Sequence, residues 1–157
     1  MSSRTYIETS FFGYLCSRPT RDELTNAHQR LTQEWWDRRR SLFELYVSEL
    51  VVEEAARGNA TEARVRLSVV ETLPILKVSE QARQLAAAIL GSAALPAKAA
   101  ADATHIAIAT VNAMDFLITW NCTHIANAII LRKVTAICRN MGYDPPTVCT
   151  PEELMEG

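Results

Sequence analysis

The chain has 157 residues and a mass of 17.5 kDa, enough to bury a core without disulfides, and reads as a single domain over residues 1–157. Hydrophobic residues at 48% and charged residues at 22% exclude a disordered or fibrous chain, while a net charge of −2 and a pI near 5.9 exclude a globally basic nucleic-acid binder. Cys16, Cys122, Cys138 and Cys149 lack CxxC spacing, no apolar leader is seen, and Lys98, Asp102 and His105 interrupt the most apolar stretch, which points to reduced thiols, a cytoplasmic location and no membrane span.

Arg4 to Glu8 is a short β-prone run ending in an acid, and Thr9-Ser10 is positioned to cap a brief helix through Leu15. Thr20 with Glu23 has capping-box spacing, and Leu24, Ala27, Leu31 and Trp35 then recur at helical intervals as far as Arg38-Arg39-Arg40. Phe43, Leu45 and Val47 alternate as a second strand, after which Ser48 caps a helix ending near Gly58. Asn59 with Glu62 opens another helix through about Leu73, Pro74 to Val78 reads as a third strand, and Ser79 begins a helix with Ala82, Leu85, Ala86, Ile89 and Leu90 on one face. Pro96 suits a helix start, and Ala99, Ala103, Ile106, Ala107 and Thr110 share a close-packing face beside Asp102 and His105. Asp115 to Thr119 predicts a fourth strand, Thr123 to about Arg139 a helix, Thr147 to Cys149 a fifth strand, and Thr150 to Glu153 a capped terminal turn.

Strands alternating with helices define an α/β sandwich around a mainly parallel sheet, in which ligands bind beyond the carboxyl ends of the strands. That rule singles out Glu8 after the first strand and Trp120-Asn121 after the fourth. The motifs of nucleotide cradles, serine hydrolases and zincins are missing, which leaves acids at element ends as the chemistry-bearing residues. Hard oxygen donors of this kind suit Mg²⁺, which needs only one or two carboxylates beside water and substrate phosphate.

Four blocks, Tyr6-Ile7-Glu8-Thr9-Ser10, the stretch from Ser48 to Glu54, the stretch from Ala101 to Ala107, and the stretch from Asp115 to Asn121, resemble in this order a PIN domain. The resemblance covers nearly the whole chain. It implies a three-layer α/β sandwich with a five-stranded sheet ordered 3-2-1-4-5, and an endoribonuclease using Mg²⁺ or Mn²⁺. Many small bacterial PIN domains are the ribonuclease toxins of VapBC-type toxin–antitoxin pairs, so RNA as substrate, a cognate antitoxin as partner and a homodimer are implied as well. The family's acids fall on Glu8, Glu54, Asp102 and Asn121, as metal ligands and catalytic residues. Glu8 stands where the family has Asp, and Asn121 keeps an oxygen but loses the charge; a catalytically weakened binding module is the alternative these departures leave open.

Each position also has a plainer reading. Glu8 suits a helix cap, Glu54 competes with Glu49 and Glu53 on a helix surface, and Asn121 suits the cap of the helix expected from Thr123. An acid beside the small-residue face at Asp102 is costly without a partner. His105 is close enough in sequence to orient Asp102 but reads more simply as a core histidine, and His124 with Asn127 as a helix-end pair. Arg38 to Arg40 reads as either a phosphate contact or a helix-end charge run, and Trp35-Trp36 cannot both face one core, which places one of them at an interface and supports the homodimer.

Overall fold

The structure is a computed structural model and describes residues 2–157. Five strands, β1 (Ser3–Ile7), β2 (Phe43–Ser48), β3 (Ile75–Leu76), β4 (Phe116–Ile118) and β5 (Thr147–Cys149), form one sheet in the order 3-2-1-4-5. Every pairing is parallel, with Tyr6 opposite both Tyr46 and Leu117. Helices α1 (Thr9–Cys16), α2 (Glu23–Arg38), α3 (Glu49–Ala55), α4 (Ala60–Val70), α5 (Glu80–Gly91), α6 (Ala100–Val111) and α7 (Ala128–Asn140) connect the strands. The central strand β1 buries Tyr6 and Ile7 completely, between Val47 on one side and Leu117 and Ile118 on the other. Among the described residues no helix is long and apolar enough to cross a membrane, and all four cysteines are free.

Local signals hold at most helix starts. Ser48, Asn59 and Ser79 each accept a backbone N–H of the following turn, and Thr150 with Glu153 forms a capping box at the terminal 3₁₀ turn. Ala82, Leu85, Ala86 and Ile89 of α5 meet the buried small-residue face of α6, where alanines let the two helices approach closely.

Four local expectations are corrected. Glu8, rather than Thr9 or Ser10, caps α1, and Asp22 caps α2 by accepting from Thr25 N–H, so no capping box links Thr20 and Glu23. The buried face of α2 is Gln29, Thr32 and Trp35, whereas Leu24 is 67% exposed. This helix packs on polar loop groups: Gln29 takes the Thr20 N–H and donates to the Arg18 carbonyl, and Thr32 accepts from the Trp120 indole. Helical spacing of apolar residues alone cannot see such a partner. The stretch expected as helix from Thr123 is a run of turns, and α7 starts only at Ala128 with Asn127 as its cap.

The aromatic pair and the arginine run are accommodated within the chain. Trp35 is fully buried against Phe11 and Phe43, and Trp36 packs on Phe11 and Phe12 under the Arg40 guanidinium. Arg38 pairs with Glu34, and Arg39 donates to the carbonyls of Leu154 and Gly157, tying the C-terminus to α2. Trp36 therefore needs no second subunit to cover it.

Candidate active site

A parallel sheet places all its carboxyl ends along one edge, and the chain leaves β1 and β4 at neighbouring positions in the sheet where the strand order reverses. Glu8 follows β1 there, and Thr119 follows β4. Glu8 is 5% exposed and its carboxylate turns back on the chain: Oε2 accepts the Ser10 N–H at 2.6 Å, and Oε1 accepts the hydroxyls of Ser10 at 2.8 Å and Thr119 at 2.7 Å. The side chain is thus retracted onto the positive end of α1, where a negative charge is stabilised.

The next residue reaches a second acid. Thr9 donates its hydroxyl to Glu54 Oε1 at 2.6 Å, and the same oxygen lies 2.5 Å from His105 Nε2. His105 is 1% exposed; its Nδ1 lies 2.6 Å from the Tyr6 hydroxyl, which in turn lies 2.8 Å from Ser48 Oγ. With Nε2–H donating to Glu54, Nδ1 accepts from Tyr6 in the neutral ring, or donates to it when the ring is protonated. A hydrogen-bonded line therefore runs from the core to Glu54. Burial raises the Glu54 carboxyl, but the His105 hydrogen bond and charge, the Thr9 hydroxyl and the Arg57 charge outweigh it and hold the group below the ordinary carboxylate value. Burial also pushes the Tyr6 phenol far up, so it remains a neutral hydroxyl.

The third acid is held from the loop after β4. Asp102 Oδ1 accepts the Asn121 side-chain amide at 3.0 Å and Oδ2 accepts His124 Nδ1 at 3.0 Å. Asn121 Oδ1 accepts the His124 backbone N–H, and the Asn121 N–H donates to Thr119 Oγ1. Asn121 thus caps a turn and turns its NH₂ toward Asp102, with its oxygen already engaged.

The structure brings Glu8, Glu54, Asp102 and Asn121 to one end of the sheet, joined through Thr9 and Thr119. Glu49 and Glu53 are exposed, and Glu53 pairs only with Arg57. His105 serves Glu54 rather than Asp102, while the histidine that holds Asp102, together with Asn121, is His124. Tyr6 and Ser48 were not anticipated as parts of this network; the available signal was a tyrosine within a central strand, whose hydroxyl must find a partner when buried.

The donor chemistry fits a hard divalent cation in kind, since Glu8, Glu54 and Asp102 are carboxylates at one sheet end. Among the described residues, however, no three His, Cys, Asp or Glu side chains are gathered closely enough to hold an ion. Each carboxylate is instead occupied by hydroxyl, amide, backbone or imidazole donors.

No protein-family model matches the chain, and no curated protein matches it. Solved structures do. A chain of FitAB bound to an IR36 DNA fragment aligns with a TM-score of 0.57 at 20% identity, over 97% of this chain and 98% of that one. VapBC2 from Rickettsia felis, bound to a DNA fragment from its promoter, aligns with a TM-score of 0.56 at 9% identity, over 94% and 98%. VapC20 from Mycobacterium tuberculosis, a toxin that cleaves the sarcin-ricin loop, aligns with a TM-score of 0.55 at 13% identity, over 76% and 91%. The fold is accordingly that of the VapC-type PIN-domain toxins.

Proposed function

We propose that the chain is a metal-dependent endoribonuclease, the toxin of a toxin–antitoxin pair, hydrolysing phosphodiester bonds of RNA with Mg²⁺ or Mn²⁺. The observation that carries this reading is the presence of three carboxylates, Glu8, Glu54 and Asp102, from three separate parts of the chain at one end of one sheet. Acids converging on the carboxyl edge of a parallel sheet, where ligands of such folds bind, suit a cation and a phosphate. The fold shared with VapC-type toxins supports the same reading.

Glu8, Glu54 and Asp102 would hold the ion only by leaving their present hydrogen-bond donors and drawing together, since as placed they are not close enough to share it. When bound, it would supply an acidified water as attacking group and neutralise charge on the phosphate oxygens. The protein's part is positional: Ser10 and Thr119 fix Glu8, Thr9 and His105 fix Glu54, and Asn121 and His124 fix Asp102. A cognate antitoxin would act by covering this acidic end. Self-association into a homodimer belongs to the same reading, with Leu24 at 67% and Ile129 at 73% exposure as apolar surface that a second copy could cover.

The test is cleavage of single-stranded RNA by the purified chain with Mg²⁺ or Mn²⁺. We expect chelator to stop it and Asp102→Asn, which changes charge at nearly constant shape, to remove most of it. Equal cleavage by wild type and Asp102→Asn at matched purity would overturn the reading. The engagement of both oxygens of Glu8 and of Asp102 by protein donors, with the amide of Asn121 facing Asp102, favours one alternative, a PIN-like module that binds RNA or protein without cleaving. That alternative predicts RNA retention with no metal-stimulated cleavage.

A further inference from the structure

Beside the acid cluster, α1 and α2 enclose a groove of about 350 Å³ lined by Ser10, Gly13, Tyr14, Ser17, Thr25 and Gln29. One end is the candidate site itself, because Ser10 donates to Glu8 and accepts from Trp120 N–H. Tyr14 is held rigidly in the wall: its ring lies edge-on to His28 and to Trp120, at centroid distances of 5.6 and 5.8 Å, and those two rings stack at 4.1 Å. Trp120 is anchored in turn through its indole to Thr32. Tyr14 is thus the one aromatic side chain lining the groove, braced from outside it by two further rings.

Gly13 is the second observation. It lies inside α1 with an ordinary helical backbone, so no left-handed conformation requires glycine there. A Cβ at this position would meet nothing within 4 Å, so packing does not require it either. Glycine inside a helix costs roughly 0.5–1 kcal/mol relative to alanine. What its missing side chain does accomplish is to keep the groove open next to Tyr14.

Resting on the ribonuclease reading above, we propose that this groove is a nucleobase subsite, in which an unpaired base of single-stranded RNA adjoining the scissile phosphate stacks on Tyr14. The volume lies at the small end of ligand clefts, roughly 300–1,000 Å³, and suits one nucleoside rather than a duplex. The charge balance favours such a contact: the chain is net −2 and its site is acidic, so phosphates alone gain little there. Stacking on aromatic side chains is the sequence-tolerant way to hold an unpaired base.

The test measures binding of a fluorescein-labelled single-stranded oligoribonucleotide by anisotropy in chelator, so that binding is read without cleavage. Gly13→Leu fills the groove and should weaken binding about tenfold, the order expected for one stacked base. Gly13→Ala should have a smaller effect and raise the melting temperature. An oligonucleotide with one abasic position walked along it should lose affinity to wild type at a single position, and that loss should vanish in Gly13→Leu; this arm also judges the subsite should Gly13→Leu fold poorly. Equal loss at every position, or unchanged affinity in a folded Gly13→Leu, overturns the subsite while leaving the ribonuclease reading to its own cleavage assay. No RNA binding by wild type overturns the subsite too. RNA bound but never cleaved, with a single abasic-sensitive position, supports the subsite and removes only the nuclease.

Discussion

His105 and His124 each hold a carboxylate, Glu54 at 2.5 Å and Asp102 at 3.0 Å, and the two carboxylates are about equally accessible at 20% and 21%. The histidines differ. His105 is 1% exposed and backed by Tyr6 and Ser48, whereas the side chain of His124 is 23% exposed and rises from the run of turns after β4. Glu54 is therefore oriented from the core and Asp102 from the surface. In the first pair, orientation is coupled to stability; in the second, a side chain can move without unfolding its surroundings.

The largest expected effect separates the two pairs directly. His105→Ala opens a cavity and leaves Tyr6 and Glu54 without their partner, and should cost about 2–4 kcal/mol in urea unfolding. His124→Ala, removing a partly solvated pair, should cost about 0–1 kcal/mol. Equal losses would break the distinction between core-held and surface-held acids.

Asn121→Asp sharpens the Asp102 side. It replaces the amide donating at 3.0 Å by a second carboxylate, so repulsion should lower stability near neutral pH by roughly 1 kcal/mol, equivalent to about one unit of carboxylate pKa. A new acid there should also tighten Mn²⁺ binding in titration calorimetry and let metal recover the lost stability. An unchanged Mn²⁺ dissociation constant would remove position 121 from the metal's surroundings.

The smallest effect concerns acid. Because the Glu54 carboxyl lies below its ordinary value in the folded chain, its contribution is complete above the unfolded value, about 4.3, and is lost as pH falls through the lower folded one. Glu54→Gln should flatten the acid limb of a melting-temperature profile below about pH 4.3, modestly because the group is partly solvated. An unaltered limb would mean that His105 and Thr9 do not stabilise the ionised form.

Much of the fold is legible along the chain because its determinants are local. Hydrophobic periods mark the alternation of strand and helix, and Ser48, Asn59 and Ser79 cap the helices they precede. Glu8 directly follows β1, and a parallel sheet gathers its strand carboxyl ends on one edge, which makes Glu8 readable from topology. What stayed illegible is polar and long-range. The buried face of α2 follows from Trp120, 88 positions beyond Thr32, and apolar spacing had pointed instead to Leu24 and Ala27.

The same division runs through the candidate site. Sequence placed Glu8 at the sheet edge, because strand ends are set by neighbours a few residues away, but it left Glu54 competing with Glu49 and Glu53 until the structure joined Glu54 to Thr9 and His105. Only the tertiary structure decided what each carboxylate faces: Thr119 meets Glu8 across 111 positions, His105 meets Glu54 across 51, and His124 meets Asp102 across 22. A hydrogen bond depends on about half an ångström of approach and on direction, and those are fixed by how β1, α3, α6 and the loop after β4 pack together. No local pattern in the chain carries that information.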